Sequence, residues 1–264
     1  MAIKSRTNYD PWESPRNTAD VESRIDAYIQ PMKGLNQALE LGDEASVREV
    51  AREWIDQHER GVLRPLPPCS YVDSTRDGVK GQITLGKNRL TYRLIDQSDE
   101  LLAAGRTSEA ISDALLAYKV ANVLKFSDFT TVYDTCRAQL RVLKTLEDAR
   151  SRLGPEQKKE VRHLLAGYVV DVKPLNRILL QSRRLYTESL QAKGQESLPI
   201  EDTQQFTQIG NVLQARCDAE SLQSVRRLIV ASNGDMPRIL TTAKLAWQME
   251  NQLEKASKTL LEDL

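Results

Sequence analysis

Gly105-Arg-Thr-Ser-Glu-Ala-Ile-Ser-Asp-Ala-Leu-Leu-Ala-Tyr118 is the stretch that decides the fold of this chain. From Ala110 to Leu124 only Asp113 and Lys119 carry charge. Ile111, Ala114, Leu115, Leu116, Tyr118, Val120, Val123 and Leu124 point to nearly every side of a helix. A helix that is apolar all round must be surrounded by other elements, so the chain is expected to wrap further helices around it.

On its N-terminal side the pattern remains helical, with interruptions. Residues 1–18 are polar, with Pro11, Pro15 and Trp12, and read as a flexible N-terminal arm, the alternative being that Asp10-Pro-Trp-Glu-Ser-Pro15 docks on a partner. Residues 19–60 read as a helical hairpin. Val21, Ile25, Tyr28, Met32, Leu35 and Leu39 form the first stripe, which Pro31 is expected to kink or divide. Gly42 ends that helix and Asp43 caps the next, whose face is Val47, Val50, Ala51 and Trp54. Residues 61–86 hold Pro65, Pro67, Pro68, Gly78, Gly81 and Gly86 and read as a loop or linker. A small hairpin pairing Ile83–Leu85 with Leu90–Tyr92 competes with a helix starting at Asn88, and the helix is preferred because its pattern continues to Ala104.

Residues 87–264 form the main helical domain. After the central helix, Val132, Cys136, Leu140, Leu143, Leu146 and Leu153 stripe a helix from about Phe129 to Leu153. Gly154 followed by Pro155 is a stop and then a start. The following helix is kinked or restarted at Pro174 and resumes to Gly194, and two shorter helices occupy 201–216 and 219–232. The last helix carries Ile239, Ala243, Ala246, Met249, Leu253, Ala256, Leu260 and Leu264. The class is all-α: an irregular bundle or short solenoid of antiparallel hairpins with eight to nine helices.

Composition narrows the function. Lys plus Arg equals Asp plus Glu at 37 each, so a net charge of zero offers no long-range pull on nucleic acid or anionic membrane. Cys69, Cys136 and Cys217 lie far apart with no CxxC, which fits a reducing compartment. No signal-peptide core occurs in residues 1–18, and no apolar run reaches the roughly 20 residues that span a bilayer. A soluble, cytoplasmic protein without membrane contact is expected.

Gly105, Glu109-Ala110-Ile111 and Ala117 together resemble the turn between the two helices of a tetratricopeptide repeat. Small alanines at that spacing let antiparallel helices approach closely. Leu94, Gln97 and Ser98 stand where that family has an aromatic residue and a Leu-Gly pair, and Asn122 stands at its closing proline. The resemblance covers about one repeat and implies a protein-binding scaffold with a concave face. Glycines at 42, 105, 154, 194 and 234 lie 63, 49, 40 and 40 residues apart, not at the fixed period of a repeat array.

Signals for chemistry are sparse. Gly81-Gln-Ile-Thr-Leu-Gly86-Lys87-Asn88 matches the phosphate-loop spacing except that Asn88 replaces the metal-holding hydroxyl, and no buried strand precedes it. His58 and His163 have no second ligand at i+4, and Cys136 falls on an apolar stripe. No catalytic residue, cofactor or metal is therefore expected. Basic residues gather at Arg137, Arg141 and Lys144, at Lys158, Lys159 and Arg162, and in the pairs Arg183-Arg184 and Arg226-Arg227.

These observations favour a non-catalytic adaptor or scaffold that binds another protein in a groove between helical hairpins. Leu94, Leu101, Tyr118 and Trp247 are the apolar candidates for that surface, and Arg183, Arg184, Arg226 and Arg227 the charged ones. The alternatives are a nucleic-acid-associated protein using its basic helix faces, or a nucleotide-binding enzyme using the loop around Lys87. The last helix is also a candidate seam for a homo-oligomer.

Overall fold

The computed structural model describes residues 18–63, 74–126, 128–166 and 238–264, with 174–175, 177–180 and 204 between them. Every regular element among the described residues is helical: α1 (Thr18–Leu41), α2 (Glu44–Glu59), α3 (Ser74–Ala103), α4 (Thr107–Asn122), α5 (Phe129–Asp148), a 3-10 turn (Arg150–Arg152), α6 (Pro155–Leu165) and α7 (Arg238–Asp263). The chain is all-α, and its helices pack as an irregular bundle. Among the described residues, no helix is long and apolar enough to cross a membrane.

Two compact units share the chain. The first comprises residues 1–67, 78–124 and 144–153, and the second residues 68–77, 125–143 and 154–264. The expected arm lies outside the described residues except for Thr18, which already opens α1.

In the first unit α1 and α2 form the anticipated hairpin, and α2 also packs on α4. Gly42 turns the chain with a positive φ of 68°. The Asp43 side chain then accepts the Ser46 N–H at 2.8 Å, so one of the orphan donors at the start of α2 is satisfied. Tyr28 and Leu35 from α1 and Val47, Ala51 and Trp54 from α2 are sealed inside. Pro31 neither divides nor ends α1, which runs through it as one helix. The Trp54 indole on α2 donates to the Pro31 carbonyl at 3.3 Å, so the proline turn is braced by the neighbouring helix.

The expected loop over 61–86 is the main correction. From Ser74 onward that stretch is the first part of α3, and neither the hairpin at 83–92 nor a helix start at Asn88 is present. Glycine looked like a breaker, but at Gly86 it serves close packing. A Cβ there would lie 2.9 Å from Leu35 Cδ2 and from the Met32 thioether, so α3 and α1 approach through the missing side chain.

α3 turns into α4 at Gly105, whose φ of 77° is left-handed. Arg106 N–H donates to Leu101 O and Gly105 N–H to Leu102 O, a Schellman closure that satisfies the last carbonyls of α3. α4 is covered on nearly all sides, with Ala110, Ile111, Ala114, Leu115, Ala117, Tyr118, Val120 and Ala121 buried. The reading of the opening stretch as a surrounded helix therefore holds.

In the second unit α6 starts as its Gly154-Pro155 pair directs, with Pro155 in the first turn. In the first unit, which takes residues 144–153, α5 ends at Asp148, and the 3-10 turn replaces the last part of the helix expected to reach Leu153. α7 packs on α6 and turns a row of residues inward, so its apolar face is used within its own chain.

Candidate functional site

The densest polar constellation in the first unit converges on Asp113 of α4, which is 1% exposed. Arg48 of α2 donates to it twice, Nε to Oδ1 at 2.6 Å and Nη2 to Oδ2 at 2.8 Å. Gln97 of α3 adds a third donor, Nε2 to Oδ2 at 3.0 Å. One carboxylate thus ties three helices together with charge-assisted bonds, the arrangement that makes a buried charge tolerable. Hydrogen bonding to Asp113 raises the Arg48 guanidinium above its ordinary value against the opposing effect of burial. Nearby, Ser98 Oγ donates to Ala110 O at 2.7 Å and locks the α3–α4 hairpin.

At the edge of this knot the charges of Glu44, Arg106 and Glu109 reach solvent. Arg48 also meets Glu44 at 3.1 Å, and Arg106 pairs with Glu109 at 2.6 Å. Fully donated and enclosed, Asp113 has the environment of a structural hub and lacks the open approach a catalytic carboxylate needs.

Lys87, the lysine of the phosphate-loop look-alike, has a different task. It lies inside α3 at 1% exposure, and its Nζ donates to Ala121 O at 3.4 Å in the last turn of α4. A cation against the carbonyl end of a helix is favoured by the helix dipole. Residues 81–88 are continuous helix, whose interior N–H groups are engaged along the axis, so they present no cradle of open backbone donors to a phosphate. Just beyond α4, Leu124 has a left-handed φ of 58° and is nonetheless buried.

His58, near the end of α2, has Nδ1 3.3 Å from Leu63 O. Burial is the main cause that lowers its pKa, opposed by the Leu63 carbonyl and Glu59 and assisted by Lys87. His163 is exposed on α6 beside Glu156, Lys159 and Glu160 in a shallow surface depression. Among the described residues no three of His, Cys, Asp and Glu gather as a metal cage requires.

The second unit holds its own buried pair. Lys125 Nζ and Glu250 Oε1 lie 2.8 Å apart, with side chains 5% and 2% exposed. The ammonium also sits 5.3 Å from the centre of the Phe126 ring. Cys136 of α5 is wholly buried next to both charges, and burial pushes its thiol up to about 12. A thiol so placed is not a nucleophile at neutral pH.

The apolar candidates for a partner surface lie in the interior: Leu94 at 0%, Leu101 at 3%, Tyr118 at 1% and Trp247 at 4% exposure. These side chains are spent on the protein's own core, and a docking face has to be built from others. Arg183, Arg184, Arg226 and Arg227 lie outside the described residues, as do Cys69 and Cys217. Large apolar groups that do reach solvent include Leu41 and Val62 near the ends of α1 and α2, Leu85 on α3, and Leu245 on α7. Arg137, Arg141 and Lys144 are exposed along one side of α5. The sequence reading missed the two ion pairs because their partners are 65 and 125 positions apart. Its one signal was Asp113 itself, one of only two charges between Ala110 and Leu124.

No family model, curated protein or solved structure matches the chain.

Proposed function

We propose that the protein is a non-catalytic helical adaptor that binds a partner protein on the outer surface of its helical hairpins. The observation that carries this reading is the employment of its interior reactive groups. Asp113, Lys87, Lys125, Glu250 and Cys136 each engage neighbouring helices of their own unit in closed surroundings, which rigidify the helices rather than face a substrate. A rigid hairpin platform is what a binding surface needs, because little ordering entropy is then lost on association. On that platform Leu41 and Leu85 stand 64% and 58% exposed and are the anchors we assign in place of the buried candidates. The sparse cysteines of the sequence, with no CxxC pair, support a cytoplasmic location for this adaptor.

The test is affinity capture from native lysate with and without nuclease, using the natural chain beside Leu41→Asp and Leu85→Asp. Both positions are exposed, so the variants should fold with unchanged melting behaviour. A stoichiometric protein that survives nuclease and is lost with either aspartate supports the adaptor. Retention of nucleic acid alone, or substrate turnover abolished by one point substitution, overturns it.

A further inference from the structure

The chain as a whole is neutral, with 37 basic and 37 acidic residues, yet the outer surface of the α1–α2 hairpin is not. Between residues 40 and 60, Glu40, Asp43, Glu44, Glu49, Glu53, Asp56 and Glu59 outnumber Arg48, Arg52 and Arg60. Several of these charges are already employed. Asp43 caps α2 through the Ser46 N–H, Glu44 meets Arg48 at 3.1 Å, and Asp56 pairs with Arg60. Arg48 itself is spent on the buried Asp113. What remains is Glu40 at the end of α1 and Glu49, Glu53 and Glu59 along the solvent side of α2, all exposed, against the guanidinium of Arg52. Glu53 accepts the neutral Gln57 amide at 2.8 Å, which leaves its charge in place. Glu49 and Glu53 are one helical turn apart, the spacing at which like charges repel and weaken a helix.

Leu41 follows Glu40 at the tip where the chain turns into α2, and it is 64% exposed. A lone exposed leucine asks for no explanation. One bordered by an excess of carboxylates has a defined complement, because a partner must cover apolar area and supply positive charge at the same place. Nucleic acid and anionic lipid bring the wrong sign.

We propose that the α1–α2 tip docks a basic amphipathic segment of the partner protein, with an apolar side chain on Leu41 and lysine or arginine against Glu40, Glu49 and Glu53. This rests on the adaptor reading above and names the class of partner that one of its two anchors takes. The apolar contact holds the segment, while the carboxylates select it and speed its approach.

The test is fluorescence anisotropy with two labelled synthetic peptides. One is built of leucine and lysine at amphipathic helical spacing, and the other has glutamate in place of lysine. The full chain is expected to bind the first and not the second, and to bind it more weakly as salt is added. Glu49→Gln/Glu53→Gln should weaken binding by about tenfold or more, and Glu262→Gln/Asp263→Asn at the end of α7 should leave it unchanged. Leu41→Asp separates docking from plain attraction of opposite charges, because it removes the anchor while making the surface more acidic. Docking predicts a loss of about tenfold or more, and attraction alone a gain. All these positions are exposed, so the variants should melt as the natural chain does. No binding of the leucine–lysine peptide, equal affinity in Glu49→Gln/Glu53→Gln, or tighter binding by Leu41→Asp overturns the proposal. The adaptor reading fails separately, in the lysate capture: a protein retained there through Leu85 while the peptide is ignored would keep the adaptor and discard the basic partner.

Discussion

Arg48 clasps Asp113 with both arms of its guanidinium, at 2.6 and 2.8 Å, across 65 positions of sequence. The carboxylate is 1% exposed, so its solvation in the folded state comes almost wholly from that clasp and from Gln97. Arg48→Met removes two donors and leaves an uncompensated buried charge, which costs about 3–5 kcal/mol. Chemical denaturation should register a loss of that size, and the double variant Arg48→Met/Asp113→Leu should recover most of it. A single variant as stable as the natural chain would show that the clasp is idle.

Gly86→Ala sets two effects against each other. Alanine gains about 1 kcal/mol in a helix interior over glycine. The added methyl, however, would lie 2.9 Å from the buried Leu35 and from Met32, and overpacking costs about 1–3 kcal/mol. Met32 is half-buried and able to swing aside, while Leu35 is fully enclosed, so we expect a net loss of about 1 kcal/mol. A stabilised variant in urea unfolding would mean that α1 and α3 adjust more freely than their contact suggests.

The same glycine explains where sequence reading succeeded and failed. Periodicity revealed α1, α2 and α4, and turn chemistry placed Gly42, Asp43, Gly105 and Gly154 correctly, because those signals are local. Gly86 acts through contact with a helix some fifty positions earlier, and nothing local tells such a glycine from a loop glycine. On α7 the sequence stripe chose Met249 and Ala256 for their apolar character. The structure buries Glu250 and Ser257 one step further on and leaves Met249 and Ala256 half-covered. A buried charge is visible only once its partner is placed, which is why the central polar groups of both units stayed hidden.

His58 gives the molecule an acid-dependent term. Burial holds the ring below its ordinary 6.5. As pH falls the unfolded chain therefore takes up the proton first, and stability drops wherever the unfolded state binds more protons. The contribution is complete above about 6.5, declines below it, and levels once the folded ring protonates. Unfolding free energies measured from pH 7.5 downward should show this slope, and His58→Asn should flatten that part of it. An unchanged slope would assign it to other groups.

Cys136 should resist thiol reagents. With its thiol pushed up to about 12 and its surface covered, it carries almost no thiolate at pH 8. Mass spectrometry of the peptide containing Cys136 after brief native alkylation should find it unmodified, and after denaturation fully modified. Labelling in the native protein at the denatured rate would place the thiol at a surface.

Lys87 separates the adaptor from a nucleotide enzyme. If its ammonium serves the last turn of α4, Lys87→Ala lowers the melting temperature with or without nucleotide, because a buried carbonyl loses its donor at a cost of about 1–3 kcal/mol. Were it a phosphate ligand, nucleotide with magnesium would raise the melting temperature of the natural chain and leave the variant unmoved, since a ligand stabilises only the state that binds it. Differential scanning fluorimetry across nucleoside di- and triphosphates distinguishes the two. We expect the natural chain and the variant to ignore every nucleotide alike while differing from each other in its absence. A shift that depends on Lys87 would instead require α3 to open between Gly81 and Gly86, breaking its close contact with α1.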